Sequence, residues 1–250
     1  MPVVETRIAA GLLRWTLDNP PRRNALAPEM LVWIRERAQT LAGEVVLLTG
    51  AGDRVFSAGF DLKALARLAE EDPSALPDQL LIDATSAMTE ADATFVALLQ
   101  GVVIGAGVEL ACACDLRLAR PGVTFSVPAG KLGVVYHAAG LLRFHAVFGA
   151  ALARRLLLCG DSISAEEALN VGALANLVPA EELAEAGEAI ARRLLAGAPH
   201  SLRAHRNFFR RIECQALPTD LLAEHSALRS RSFAAADLES AHRRALGRKS

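Results

Sequence analysis

GVVIGAGVELACACD, residues 101–115, is the stretch on which the reading of this chain turns. Before its final Asp115 it holds one charged side chain, Glu109; glycine, alanine, cysteine and branched aliphatics make up the rest. Such a composition suits burial, so a carboxylate placed in it asks for a reason. GAGVELACA has the pattern of a helix opening directly after a glycine turn. The preceding TFVALLQG, residues 94–101, is a continuous apolar run closed by glycine, which predicts a strand covered on both faces. A first-turn glutamate complements the positive end of the helix dipole, and that is the plainest account of Glu109.

FSAGFDL, residues 56–62, repeats the design: a short strand, a glycine turn and a helix start at Asp61. Helix starts carry backbone N–H groups with no partner inside the helix, in a field that favours negative charge. Two such starts facing one cavity would hold a single oxygen anion between two donors. One donor of this kind contributes about 3–4 kcal/mol to a transition state.

Farther out, LLRWTLD alternates, with Leu13, Trp15 and Leu17 on one face, and predicts a half-buried strand. NPPRRNAL reads as a proline-rich loop, and Leu31, Ile34, Ala38 and Leu41 recur at helical spacing up to Gly43. EVVLLTG is a second doubly covered strand. EEDPSALPDQ, with its prolines and acids, reads as a mobile loop. From Ala139 to Asn170 the pattern is helical with breaks at Gly149 and Gly160; ALANLV is a brief strand and EELAEAGEAIARRLLAG a helix. Beyond Pro199 only helical patterns appear. Alternating strands and helices followed by helices alone predict an α/β core over residues 1–195 and a helical region over 196–250. No internal repeat stands out.

The 250 residues are 52% hydrophobic and 22% charged, with a net charge of −1. That balance gives a sizeable core and argues against a nucleic-acid binder. Apolar runs are interrupted well before the roughly 18 residues a membrane helix needs, and the start lacks a secretory pattern, so a cytoplasmic protein is expected. Cys112, Cys114, Cys159 and Cys214 form no metal-ligand spacing and read as free buried thiols, with no metal site.

VFSAGFDL followed by GVVIGAGVELACACDLRLA resembles the crotonase (enoyl-CoA hydratase/isomerase) superfamily. Asn24-Ala25-Leu26, LLTG and LCGDSISAEEALNVGALANLV extend the resemblance in the family's order over nearly the whole chain. It implies a ββα superhelix with a C-terminal helical trimerisation region, assembled as a homotrimer or a dimer of trimers. It also implies an acyl-CoA substrate, coenzyme A being part of the substrate, with no separate cofactor. The oxyanion-hole donors carried over are the N–H groups of Phe60 and Ala106, the latter at a position where the family often has glycine. Glu109 falls on a catalytic carboxylate, which in an apolar pocket would be poised for proton transfer beside the thioester. Arg22, Arg23, Ala25, Asp61, Leu62 and Lys63 resemble the region that receives coenzyme A.

Two departures matter. Where the family's hydratases hold a second carboxylate, twenty residues after the first, this chain has Ala129; no nearby residue obviously replaces it, and Asp61 and Glu90 stay open. Hydration by two carboxylates is therefore in question. LGVVYHAAG also replaces a glycine-rich run, and its Tyr136 matches a tyrosine of the methylmalonyl-CoA decarboxylase branch. That branch departs in turn at Phe60 and Pro128. Three readings follow: a hydratase/isomerase using Glu109, a decarboxylase of a malonyl-type thioester using Tyr136, and an acyl-CoA-binding protein without turnover. His137 reads as a surface or interface residue. Arg203, Arg206 and Arg210 read as a solvated basic face, and Phe233 weakly resembles a position near coenzyme A.

Overall fold

The computed structural model describes residues 3–61, 76, 78–213 and 218–232. Its strands are β1 (Val3–Ala9), β2 (Leu12–Leu17), β3 (Ala42–Gly50), β4 (Val55–Ser57), β5 (Asp92–Leu99), β6 (Val102–Ile104), β7 (Leu116–Ala119), β8 (Thr124–Ser126), β9 (Ser162–Ser164) and β10 (Asn176–Leu177). The described helices are numbered α1 (Pro28–Ala38), α2 (Gln79–Glu90), α3 (Ala106–Cys112), α4 (Ala129–Leu132), α5 (Ala138–Arg154), α6 (Ala165–Asn170), α7 (Leu183–Leu195), α8 (Pro199–Glu213) and α9 (Thr219–Ser232).

Among these residues two sheets form, a six-stranded one in the order β1-β2-β3-β5-β7-β10 and a four-stranded one in the order β4-β6-β8-β9. Consecutive strands alternate between the sheets: β3 then β4, β5 then β6, β7 then β8. Each pair leads into helix, so the ββα unit recurs along the chain although its sequence does not visibly repeat. The pairings β2/β3, β3/β5, β5/β7, β4/β6 and β6/β8 are parallel, as successive turns of a superhelix require.

The doubly apolar strands are explained by what lies on either side. Val46 and Leu48 of β3 and Phe95, Ala97 and Leu99 of β5 join Trp15, Phe56 and Phe125 in the main core. Val45, Leu47, Val96 and Leu98 turn the other way, into a second cluster with Leu183 and Ala191 of α7. Trp15 meets Trp33 and Phe95 edge-on at centroid distances of 4.9 and 5.5 Å. Each fully buried large side chain contributes roughly 1.5–3 kcal/mol, so these layers fix the strand ends that carry the site.

Several details differ from the sequence reading. β1 completes an antiparallel pair with β2, and the short strands β6, β7 and β8 are too brief for a periodicity to show. The expected helix over 139–170 breaks at Gly149 (φ 67°) and Gly160 (φ 64°), but Ser162–Ser164, just after the second break, is a strand paired with β8. Cys159 is exposed, whereas Cys112 and Cys114 are buried. Arg206 is not part of a solvated face. It donates to Asp115 Oδ1 at 2.7 Å, Ala91 O at 2.6 Å and Met88 O at 2.7 Å, docking α8 on the core. No helix among the described residues is long and apolar enough to cross a membrane. The expected helix after Asp61, most of the expected mobile loop, Cys214 and Phe233 lie outside the described residues.

Candidate active site

Two glycine turns lie against each other. The first follows β4 and contains Gly59 (φ 87°); the second joins β6 to α3 through Gly105 (φ 55°). Positive φ favours glycine at both. Contact is the second reason: a Cβ on Gly59 would come 2.9 Å from Ile104 O and 3.5 Å from Ala106 N. The proline-rich loop holds the first turn in place, with Leu26 N donating to Gly59 O and Asp61 N donating to Leu26 O. Those bonds occupy one edge, so the Phe60 N–H between them faces the opposite edge, the side of β6 and α3. Neither Phe60 N–H nor Ala106 N–H donates a hydrogen bond among the described residues.

Three residues into α3 from Ala106 stands Glu109, with 0% of its surface exposed. The polar groups around it come from the next layer. His137 Nε2 donates to Glu109 Oε1 at 2.7 Å, and Arg143 Nη1 donates to the same oxygen at 3.1 Å. Arg143 Nη1 also reaches Thr85 Oγ1 of α2 at 3.0 Å. Gly140 N–H donates to His137 Nδ1 at 3.1 Å, which fixes the ring proton on Nε2, facing the glutamate. Glu109 Oε2 is buried and has no hydrogen-bond partner among the described residues. Gly140 lets α5 approach: a Cβ there would lie 3.1 Å from the carboxylate atoms.

The pocket of Glu109 is thus charged and hydrogen-bonded rather than apolar, which corrects the environment expected from the sequence. His137 is 5% exposed and bonded to the glutamate, not a surface histidine. Arg143 drew no notice in the sequence, yet a signal was there: with Gly140, Phe144 and Phe148 it falls on the apolar stripe of α5. Tyr136 packs its ring on Phe144 at 5.4 Å, and a Cβ on Gly105 would lie 3.7 Å from its hydroxyl. Burial first, then the Glu109 carboxylate, pushes this phenol well above its ordinary value of 10.0. It is a neutral hydroxyl beside the second turn.

The model of the enoyl-CoA hydratase/isomerase family matches residues 7–244. This chain belongs to that family. Carnitinyl-CoA dehydratase of Salmonella heidelberg (strain SL476) is 30% identical over 203 residues, 80% of this chain and 77% of the relative. A solved enoyl-CoA hydratase/carnithine racemase from Magnetospirillum magneticum superposes with a TM-score of 0.78 at 28% identity, over 90% of this chain and 86% of that one. A methylmalonyl-CoA decarboxylase solved with 2-nitronate-propionyl-CoA gives 0.86 over 99% and 96%, and at 21% identity it bears on the fold alone.

Within the enoyl-CoA hydratase/isomerase fold, the structure gathers most of the residues singled out for coenzyme A. Asn24, buried with φ 54°, donates from Nδ2 to Ala51 O and Val55 O, both at 2.9 Å. That ties the loop of Arg22, Arg23 and Ala25 to the β3–β4 turn. Arg22 Nη1 donates to Asp61 Oδ2, an ion pair between two of the candidates. Leu62 and Lys63 lie outside the described residues. Of the replacements considered for the second carboxylate, Asp61 is committed to Arg22 and Glu90 is exposed at the end of α2. Ala129 is buried at the start of α4.

Proposed function

We propose that this protein moves a proton on an acyl-CoA thioester through an enolate, as an enoyl-CoA isomerase. The N–H groups of Phe60 and Ala106 hold the thioester oxygen as it gains charge, and Glu109 takes a proton from one carbon and returns it to another. The observation that carries this is the buried Glu109, with one oxygen unpartnered among the described residues, three residues from an amide that donates to none of them, on adjoining glycine turns. Family membership and the carnitinyl-CoA dehydratase likeness support an acyl-CoA substrate. Arg22, Arg23, Ala25, Asp61, Leu62 and Lys63 receive the coenzyme A portion, and no separate cofactor is needed.

Hydration by two carboxylates is disfavoured by Ala129. Isomerisation needs one base that can give back what it takes, and Glu109 suffices. Decarboxylation of a malonyl-type thioester is the second reading, favoured by the Tyr136 hydroxyl beside Gly105, where it would orient a carboxylate. We read the protein as a cytoplasmic homotrimer or dimer of trimers. The exposed Phe208, Phe209 and Ile212 of α8 and Leu221, Leu222 and Leu228 of α9 support assembly. Sedimentation of the purified protein as a monomer would refute that.

The test is incubation with a 3-enoyl-CoA, crotonyl-CoA and methylmalonyl-CoA, alongside Glu109→Gln. Isomerisation of the 3-enoyl thioester, lowered at least about 100-fold in the variant, is the expected result. Release of CO₂ from methylmalonyl-CoA by both proteins would favour the second reading. Binding of all three thioesters without product would leave an acyl-CoA-binding protein.

A further inference from the structure

Glu109 has two carboxylate oxygens, and the protein treats them unequally. Arginine commonly engages a carboxylate through both oxygens in a fork. Here Arg143 Nη1 divides itself between Thr85 Oγ1 and Glu109 Oε1, and His137 Nε2–H takes the same Oε1. Oε2 is left buried with no hydrogen-bond partner among the described residues. An orphaned buried acceptor is costly, and at a site of this kind a catalytic role is one physical reason for a fold to keep it.

We propose that Arg143 and His137 are positioning residues that capture Oε1 and reserve Oε2 of Glu109 as the single oxygen that exchanges a proton with the substrate. This rests on the reading of Glu109 as the proton carrier. In the forward step the substrate C–H bond breaks, an O–H bond forms on Oε2, and the electron pair passes into the enolate. The same proton then returns from Oε2 to the other end of the allylic system. With Oε1 held from two directions, the carboxylate cannot rotate to offer its other oxygen.

The holding groups come from different places and are themselves fixed. His137 sits at the N-terminus of α5, its Nδ1 accepting from Gly140 N–H at 3.1 Å, so Nε2 must be the donor. Arg143 is buried two turns on, bracketed by Thr85, whose hydroxyl donates to Leu81 O at 2.8 Å. Arg143, His137 and the Tyr136 phenol are the charged and titratable groups seen to act on Glu109 among the described residues. Arg143 is the one permanent charge among them.

The experiment uses the purified protein with a 3-enoyl-CoA as probe, and measures kcat and KM separately. Glu109→Gln, Arg143→Met, Arg143→Lys, His137→Gln and His137→Phe are compared, with folding checked by circular dichroism. Arg143→Met should lower kcat about 10- to 100-fold with KM within about threefold, the loss expected for one charged hydrogen bond. Arg143→Lys keeps a charged donor and should recover at least part of the lost kcat, which Met does not. His137→Gln keeps a donor and should exceed His137→Phe in kcat by at least about tenfold. An Arg143→Met protein that folds and keeps the wild-type kcat overturns the proposal. If that variant does not fold, equal kcat in the two His137 variants overturns it instead. A Glu109→Gln protein as active as wild type removes the reading beneath, and the positioning role with it.

Discussion

Gly140→Ala is the sharpest probe of how tightly Glu109 is placed. The added methyl would stand 3.1 Å from Cδ, Oε1 and Oε2 of the glutamate, inside ordinary van der Waals contact, so one of them must yield by a few tenths of an ångström. Gly140 has no positive φ, so alanine is not strained there. Helix propensity favours alanine over glycine by about 0.5–1 kcal/mol, and the crowded contact works against it by a similar amount. Stability should therefore change by less than about 1 kcal/mol in either direction. Activity should not be spared. The group most able to move is the carboxylate, and its shift strains the bonds of 2.7 and 3.1 Å to His137 and Arg143. A misplacement of about 1 Å costs about 100-fold, so a few tenths of an ångström predicts a fall in kcat of roughly tenfold. The assay pairs urea unfolding with turnover of a 3-enoyl-CoA, followed by the absorbance of the conjugated product. A folded variant with the wild-type kcat refutes the reasoning. So does a loss of activity that merely tracks a loss of stability.

Three further outcomes are expected. Tyr136 is the only tyrosine, so tyrosinate absorbance reports on it alone. Its raised folded value means the native protein should show no tyrosinate through pH 10, with the signal appearing on unfolding. By linkage, the stability contribution is full below the ordinary value of 10.0 and is lost as pH rises above it, because the unfolded chain then releases the proton first. Alkaline unfolding curves that do not steepen in this range would contradict the burial of the phenol. Arg229→Met leaves Asp78 unpaired where Arg229 Nε and Nη2 donated at 3.0 and 2.6 Å, and should destabilise by about 3 kcal/mol. Adding Asp78→Asn should recover part of that loss in a double-mutant cycle, and strict additivity would deny the pair. Ser164→Ala removes an N-cap whose Oγ accepts from Glu167 N at 3.1 Å, and should cost about 1 kcal/mol in denaturant unfolding.

Local chemistry made much of this protein legible in its sequence. Unbroken apolar runs at 45–48 and 95–99 pointed to strands covered on both faces, because every side chain along them needed an apolar neighbour. Glycines 59 and 105 marked turns that no other residue forms without strain, and Glu109 lay at fixed spacing from the second. What the tertiary structure decided is whatever depends on residues distant in sequence meeting in space. Strands of three or four residues, β6 to β9, are too short to carry a period and exist because neighbours offer them hydrogen bonds. Arg206 looked solvated because its partners, Asp115 and the carbonyls ending α2, lie about a hundred residues away. Glu109 looked solitary for the same reason. His137 and Arg143 come from a helix whose own sequence does not say which buried group it will meet. Sequence placed the carboxylate, and only the packing of α5 across α3 at Gly140 determined which of its oxygens is held and which is left open.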